Sequence, residues 1–296
     1  NILFCQTKYI FIRAVGLRSI LLMPVILYLR LKKKYIVLEI PTPFSSVLYE
    51  YKINKLKRNS DTIYYILFIL FGPIFLNFFN KIVGYGKEKF PYNFFIDNKF
   101  ILESNSYDVE SISYIAKKKL LKTELNIGMV GSIAPWHGVD RILESIKIFE
   151  KNQNIYKINF YITGYIDSKY KDDILKFIKI NNLRLNIEFN ESLYNEDLFN
   201  FYDKIHIGLG SLGLIKVNNI SRSELKIREY TSVGLPFIME AEDSNFPKNL
   251  PFLYSVKYGD SIINFFDIIE WYNNLDEKIP LKMRKYALDN LSFKKK

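Results

Sequence analysis

"GMVGSIAPWHGVDRIL", residues 128–143, decides the fold. It continues the apolar run "LNI" (125–127), turns at Gly131, and passes into "VDRILESIKIFEK" (139–151), whose apolar residues recur at helical spacing. A buried strand, a glycine turn and an amphipathic helix, in that order, form the first part of a βαβ unit. Gly131 lets the backbone turn tightly and approach a ligand. A helix starting at 139 points unpaired N–H groups into that turn, a geometry suited to a diphosphate. The stretch is neither G-x-G-x-x-G nor a P-loop with its Lys-Ser/Thr, so nucleoside triphosphate chemistry is not indicated. Taken alone, His137 reads as an ordinary exposed loop histidine rather than as a donor to phosphate.

The same alternation continues downstream. "KINFYITG" (157–164) is a second strand ending in Gly, and "KYKDDILKFIKINN" (169–182) is helical. "RLNIEF" (184–189), the helical "NEDLFNFYD" (195–203), "KIHIGLG" (204–210), a helix over 224–233 and the strand "PFIME" (236–240) follow. Strands alternating with helices through short turns predict a doubly wound α/β domain on a parallel sheet. Ligands of such sheets bind beyond the carboxyl ends of the strands, where these glycines fall.

Upstream the pattern is weaker. "YIVLEI" (35–40), stopped by Pro41 and Pro43, and "KFILES" (99–104) read as strands, the latter leading into the polar turn "NSYD" (105–108). The segment between them reads as mostly helical, with too few strands for a complete second α/β domain. "AKKKLLKTE" (116–124) reads as the linker between domains. The run "TIYYILFILFGPIFLNFFN" (62–80) is uncharged for 19 residues and broken by Gly72-Pro73. A transmembrane helix needs about 20 apolar residues, and the expectation here is a buried or interfacial pair of helices.

Of the 296 residues, 49% are apolar and 25% charged, the composition of a core-forming chain. The net charge is +11, and residues 1–60 hold eleven Lys/Arg against Glu39 and Glu50, so +9 of it lies there. Within that region "RSILLMPVILYLRLKKKY" (18–35) joins an apolar run to a basic cluster. An anionic membrane surface suits that arrangement better than nucleic acid, and no helix-turn-helix, zinc or RNP signal supports nucleic acid as a partner. A single cysteine, Cys5, excludes an intramolecular disulfide, and two histidines argue against a metal centre. The reading is a reducing, cytoplasmic compartment. No signal peptide is evident, and a start at Asn1 without Met is read as the start of a fragment.

"SELKIREYTSVGLPFI" (223–238) takes a charged helix into Gly-Leu-Pro and a strand. On a helix Lys226 and Glu229 share a face, as do Arg222 and Lys226. Taken together, "GSIAPWHGVDRIL" and, about eighty-five residues later, "ELKIREYTSVGLPFI" resemble the donor domain of GT-B, family-4 bacterial glycosyltransferases. Those enzymes carry a G-S/R…H/K-G-V-D-x-L loop and a Lys-x-x-Glu-Tyr-x-x-x-Gly-x-Pro segment. "FYITG" (160–164), "EIPTPFSSVLYE" (39–50), "ESNSYDVESI" (103–112) and "MRKYALDNLSFKKK" (283–296) resemble further family segments in the same order.

The resemblance implies two Rossmann-like domains facing a cleft. Residues 1–120 would be an incomplete N-terminal acceptor domain and 121–275 the nucleotide-sugar donor domain. Residues 276–296 would form a helix that packs back on the N-terminal domain. It implies a retaining hexosyltransferase that moves a sugar from a UDP- or GDP-linked donor to a lipid-linked saccharide in cell-surface polysaccharide synthesis. The enzyme would work at the inner face of the cell membrane without cofactor or metal. Glu229 would hold the ribose hydroxyls, Lys226 would lie near the diphosphate, and Gly131, Ser132, His137 and Gly138 would cradle phosphate. The first Glu of the family's Glu-x(7)-Glu motif falls at Ser221, and no catalytic residue is assigned. The alternatives are a sugar-nucleotide epimerase of the same fold and a non-enzymatic membrane-associated protein.

Overall fold

Two all-parallel sheets organise the chain in a computed structural model that describes residues 6–53, 59–89, 92–115, 123–152 and 155–295. Cys5 and most of the 116–124 linker stretch lie outside the described residues. The chain divides into two compact units, Asn1–Ser104 with Val217–Ser223, and Asn105–Lys216 with Glu224–Lys296.

The first unit holds β1 (Tyr9–Arg13), a 3-10 segment (Gly16–Leu22), α1 (Met23–Leu31), β2 (Tyr35–Ile40), α2 (Phe44–Ile53) and α3 (Asn59–Asn77). It continues with β3 (Lys81–Gly84), α4 (Tyr92–Ile96) and β4 (Phe100–Leu102). The strands lie side by side in chain order, β1-β2-β3-β4. Ile36, Leu38, Ile40 and Ile82 from the sheet pack with Phe44, Phe68 and Phe75 from the helices into one core. Four strands are therefore present where the sequence pattern suggested fewer. β3 is only four residues long and follows an apolar helix directly, so it leaves no period-2 signal of its own.

The expected break in the 62–80 run is absent. α3 is one continuous helix of 19 residues with Pro73 inside it, held by the buried rings of Phe68 and Phe75. Its other face exposes Ile63, Ile66, Leu70 and Ile74, and α1 likewise exposes Leu27 and Leu31. Among the described residues no helix is long and apolar enough to cross a membrane.

The second unit alternates β5 (Glu124–Val130), α5 (Val139–Asn152), β6 (Lys157–Thr163), α6 (Ser168–Ile180), β7 (Asn186–Asn190), α7 (Asn195–Lys204), β8 (Ile207–Leu209), α8 (Leu225–Val233) and β9 (Phe237–Met239). β10 (Leu253–Ser255), α9 (Phe265–Asn273) and α10 (Ile279–Asn290) complete it. Its sheet runs β10-β9-β8-β5-β6-β7. Read from the other edge, that is the doubly wound order 3-2-1-4-5-6, with the switch point between β5 and β8. α8 begins at Leu225, so Arg222 lies outside the helix and does not share a helical face with Lys226. α10 belongs to this second unit and packs on α8, where Arg284 Nη1 donates to Ser232 O at 3.1 Å.

Candidate functional site

At the switch point the loops after β5 and β8 are joined by backbone. Leu212 N–H donates to His137 O and Gly213 N–H to Trp136 O, both at 3.1 Å. Gly138 is left-handed (φ +75°), and a Cβ there would lie 2.5 Å from Leu212 C, so only glycine permits this approach. On the other side Gly131 N–H donates to Thr163 O (3.0 Å) and Ile133 N–H to Tyr165 O (2.7 Å). There a Cβ on Gly164 would meet Gly131 O at 2.1 Å. Three strand-end loops are thus locked together, with Ser132 exposed on the middle one.

A buried ion pair holds this arrangement from beneath. Arg141 on α5 meets Glu240, which follows β9, at 3.1 Å, with side chains 4% and 0% exposed. Arg141 also donates to Leu212 O, Lys257 O and Ser261 O, while Glu240 accepts from Leu214 N–H (2.8 Å) and Gly259 N–H (2.8 Å). A buried pair is tolerated when its remaining hydrogen-bonding positions are satisfied, as they are here. The sequence carries one signal for it, a charge inside a helix whose other inward residues are apolar except for Ser145.

His137 is 9% exposed. Its Nδ1 lies 3.0 Å from Ala134 N and 3.2 Å from Ala134 O. The Ala134 N–H donates to that Nδ1. His137 therefore braces the 3-10 turn Pro135–His137 that leads into α5. Asp140 stands in the first turn of α5, and Lys216 pairs with it.

α8 abuts the carboxyl end of β5 through Tyr230, whose hydroxyl accepts from Val130 N–H at 3.2 Å. Gly131 follows Val130 in the chain and Glu229 precedes Tyr230. Lys226 is ion-paired with Glu224 at 3.6 Å. The carboxylate of Glu224 accepts from Ser211 N–H at 3.1 Å. Arg228 is fully buried, paired with Asp243 at 2.6 Å and donating to Asn105 O at 2.8 Å. Burial lowers its pKa, and Asp243 opposes that shift. Ser221 belongs to the first unit, where its hydroxyl accepts from Lys87 N–H at 3.4 Å.

Glu229 stands on the wall of a cavity of about 600 Å³ in the second unit. Tyr107, Ser111, Tyr194, Phe199 and Tyr202 also line it, and neither the glycine loop nor Lys226 does. That volume lies within the range of small-ligand sites. The Tyr107 hydroxyl donates to Glu229 Oε1 at 2.9 Å. Burial pushes the Glu229 carboxyl above its ordinary range, and the Tyr107 and Tyr202 hydroxyls pull it back. The Tyr202 hydroxyl is buried and close to Glu229 but forms no hydrogen bond of normal geometry. Tyr107 and Tyr202 escaped sequence reasoning, because nothing local announces a contact spanning 122 residues. Among the described residues no cluster of His, Cys, Asp and Glu could hold a metal ion.

No family profile and no curated protein matches the sequence. Solved structures do match the fold. Sucrose-phosphate synthase from Thermosynechococcus elongatus aligns over 97% of this chain and 70% of its own, at 12% identity and a TM-score of 0.66. A glycosyltransferase from Rickettsia africae covers 98% and 96%, at 12% identity and a TM-score of 0.56. Anabaena HepE, solved with UDP-glucose, covers 95% and 74%, at 10% identity and a TM-score of 0.58. The mixed α/β architecture with two parallel sheets is that of the GT-B glycosyltransferases.

Proposed function

We propose that this protein is a glycosyltransferase that takes its sugar from a nucleotide-diphosphate sugar. The observation that carries the reading is Glu229, a half-buried carboxylate on the wall of an aromatic-lined cavity in a unit built on a doubly wound sheet. A carboxylate accepts two hydrogen bonds at once and so matches the vicinal hydroxyls of a ribose. Tyr194 and Phe199 offer rings for a base, and the Tyr202 hydroxyl supplies a further polar group. The diphosphate lies at the loop of Gly131, Ser132, His137 and Gly138, near the first-turn amides of α5 and near Lys226. In transfer, the acceptor oxygen bonds to the anomeric carbon as the bond from that carbon to the diphosphate breaks. The electron pair leaves with the nucleoside diphosphate, whose phosphate oxygen takes the acceptor proton. Amides and Lys226 stabilise the charge that develops on the leaving group. The reaction retains configuration and needs no metal.

The acceptor is a lipid-linked saccharide of cell-surface polysaccharide synthesis, met at the inner face of the cell membrane. Support comes from the exposed apolar faces of α1 and α3 in the first unit and the cations beside them. Arg18 stacks on Tyr64 of α3, and Arg30, Lys32 and Lys33 are exposed around the end of α1. Cations flanking an apolar face suit an anionic lipid surface. Incubation with labelled UDP- and GDP-sugars and a bacterial polyprenyl-lipid extract should move label into the organic phase. Label that stays aqueous with every donor counts against transfer to lipid.

A further inference from the structure

We propose that the amino edge of the first sheet holds a headgroup site for an anionic phospholipid, with the apolar face of α3 resting on the lipid chains beside it. A cavity of about 610 Å³ lies at that edge. Lys81, the first residue of β3, lines it, as does Lys99, which directly precedes β4. All four strands are parallel, so this is the opposite end of the sheet from the carboxyl edge where such sheets ordinarily bind ligands. The inference deepens the membrane contact proposed above, on which it rests, and is independent of the transferase reading.

The lining carries an excess of positive charge. Lys81 and Lys99 are opposed there by one carboxylate, Asp97. Arg30, at the end of α1, stands beside them and donates from Nη1 to Asn80 Oδ1 at 2.6 Å. Among the described residues Arg30, Lys81 and Lys99 form no ion pair. Lys99 Nζ instead donates to Leu76 O at 2.8 Å, a carbonyl that the end of α3 leaves open. Burial lowers the Lys99 pKa and the nearby Arg30 lowers it further, the mark of cations that an anion would relieve. Asn80 also lines the cavity, and its Oδ1 accepts from Ile36 N–H (2.9 Å) as well as from Arg30. Its amide N–H groups are left to donate to a phosphate oxygen.

The apolar part of the site is built into the same unit. Ile63, Ile66, Leu70 and Ile74 are exposed, and steps of three and four keep them on one face of α3. Asn77, three residues after Ile74, continues that face and lines the cavity. Phe94, 74% exposed, lines it too. An exposed apolar stripe that ends in a cationic cavity matches a molecule with apolar chains and an anionic head. A free phosphate would use the cavity alone and leave the stripe in water.

The test is flotation of the full chain with vesicles of phosphatidylglycerol and phosphatidylcholine in equal parts, against phosphatidylcholine alone. Melting temperatures of all variants are measured in parallel. The wild type should prefer the anionic vesicles, and Lys81→Ala should weaken that partitioning about tenfold at unchanged melting temperature. Asn77→Phe decides the matter, because it keeps the charge and lengthens the apolar stripe while filling the cavity. A headgroup site predicts about tenfold weaker partitioning for it as well. Partitioning that is unchanged or tighter in Asn77→Phe overturns the site and leaves a general surface contact. No preference of the wild type for anionic vesicles contradicts the site and the membrane contact together. Inorganic phosphate that displaces the protein from vesicles at equal phosphorus concentration assigns the cavity to a soluble anion and overturns the lipid.

Discussion

The two sheets end in different ways. At the carboxyl edge of the second, backbone meets backbone: Gly138 lies against Leu212 and Gly213, Gly164 against Gly131, and Arg141 with Glu240 holds the loops from below. At the carboxyl edge of the first, Arg13, Glu39 and Tyr85 project side chains from neighbouring strand ends. Loops locked backbone to backbone in this way leave little room for change at Gly138 or Gly164. A side-chain cluster can be changed residue by residue without moving the strands that carry it.

The contrast can be broken most sharply at its buried ion pair. Arg141→Ala leaves Glu240 uncompensated and should cost about 3–5 kcal/mol in urea unfolding. A loss under 1 kcal/mol would mean that the pair does not hold the cradle. Gly138→Ala comes next, because it forces a left-handed residue and a clash with Leu212. Unfolding should show a loss of at least about 1–2 kcal/mol, whereas Arg13→Ala at the other edge should stay within about 0.5 kcal/mol.

A smaller effect concerns the exposed apolar face of α3. The pair Ile66→Lys with Leu70→Lys should abolish flotation with anionic vesicles at unchanged melting temperature, since both side chains are exposed. Flotation that survives the pair would place the membrane contact elsewhere. The smallest effect is one of pH. Because burial raises the Glu229 pKa in the fold, the native state binds the proton more tightly than the unfolded chain. Stability therefore falls as pH rises from the unfolded value near 4.5 through the folded one. The melting temperature of Glu229→Gln minus that of the wild type should grow over that interval, and a flat difference would contradict the assigned shift.

Legibility in the sequence followed the same divide. The second unit could be read because amphipathic helices alternate with buried strands that end in glycine, and β5, α5, β6, α6 and α7 fall close to their expected bounds. β10 and α9 were missed, lying beyond the stretch in which that alternation is regular. In the first unit α1 and α3 expose apolar residues as well as burying them, so no period separates helix from strand, and β3 disappears beside α3. The glycine loop and Glu229 were legible as spaced residue types. Their supports were not: the Arg141–Glu240 contact spans 99 residues and the Tyr107–Glu229 contact 122, and only folding brings such partners together.

Thermal unfolding against UDP, GDP and CMP, in the wild type and in Glu229→Ala, tests the central claim most directly. A ligand at 100 times its dissociation constant should stabilise the wild type by about 2.7 kcal/mol. One nucleoside diphosphate should produce that shift, and the Glu229→Ala protein should lose it. A shift of equal size in the variant, or none with any nucleotide, would contradict the assignment of Glu229 to a nucleotide-sugar site.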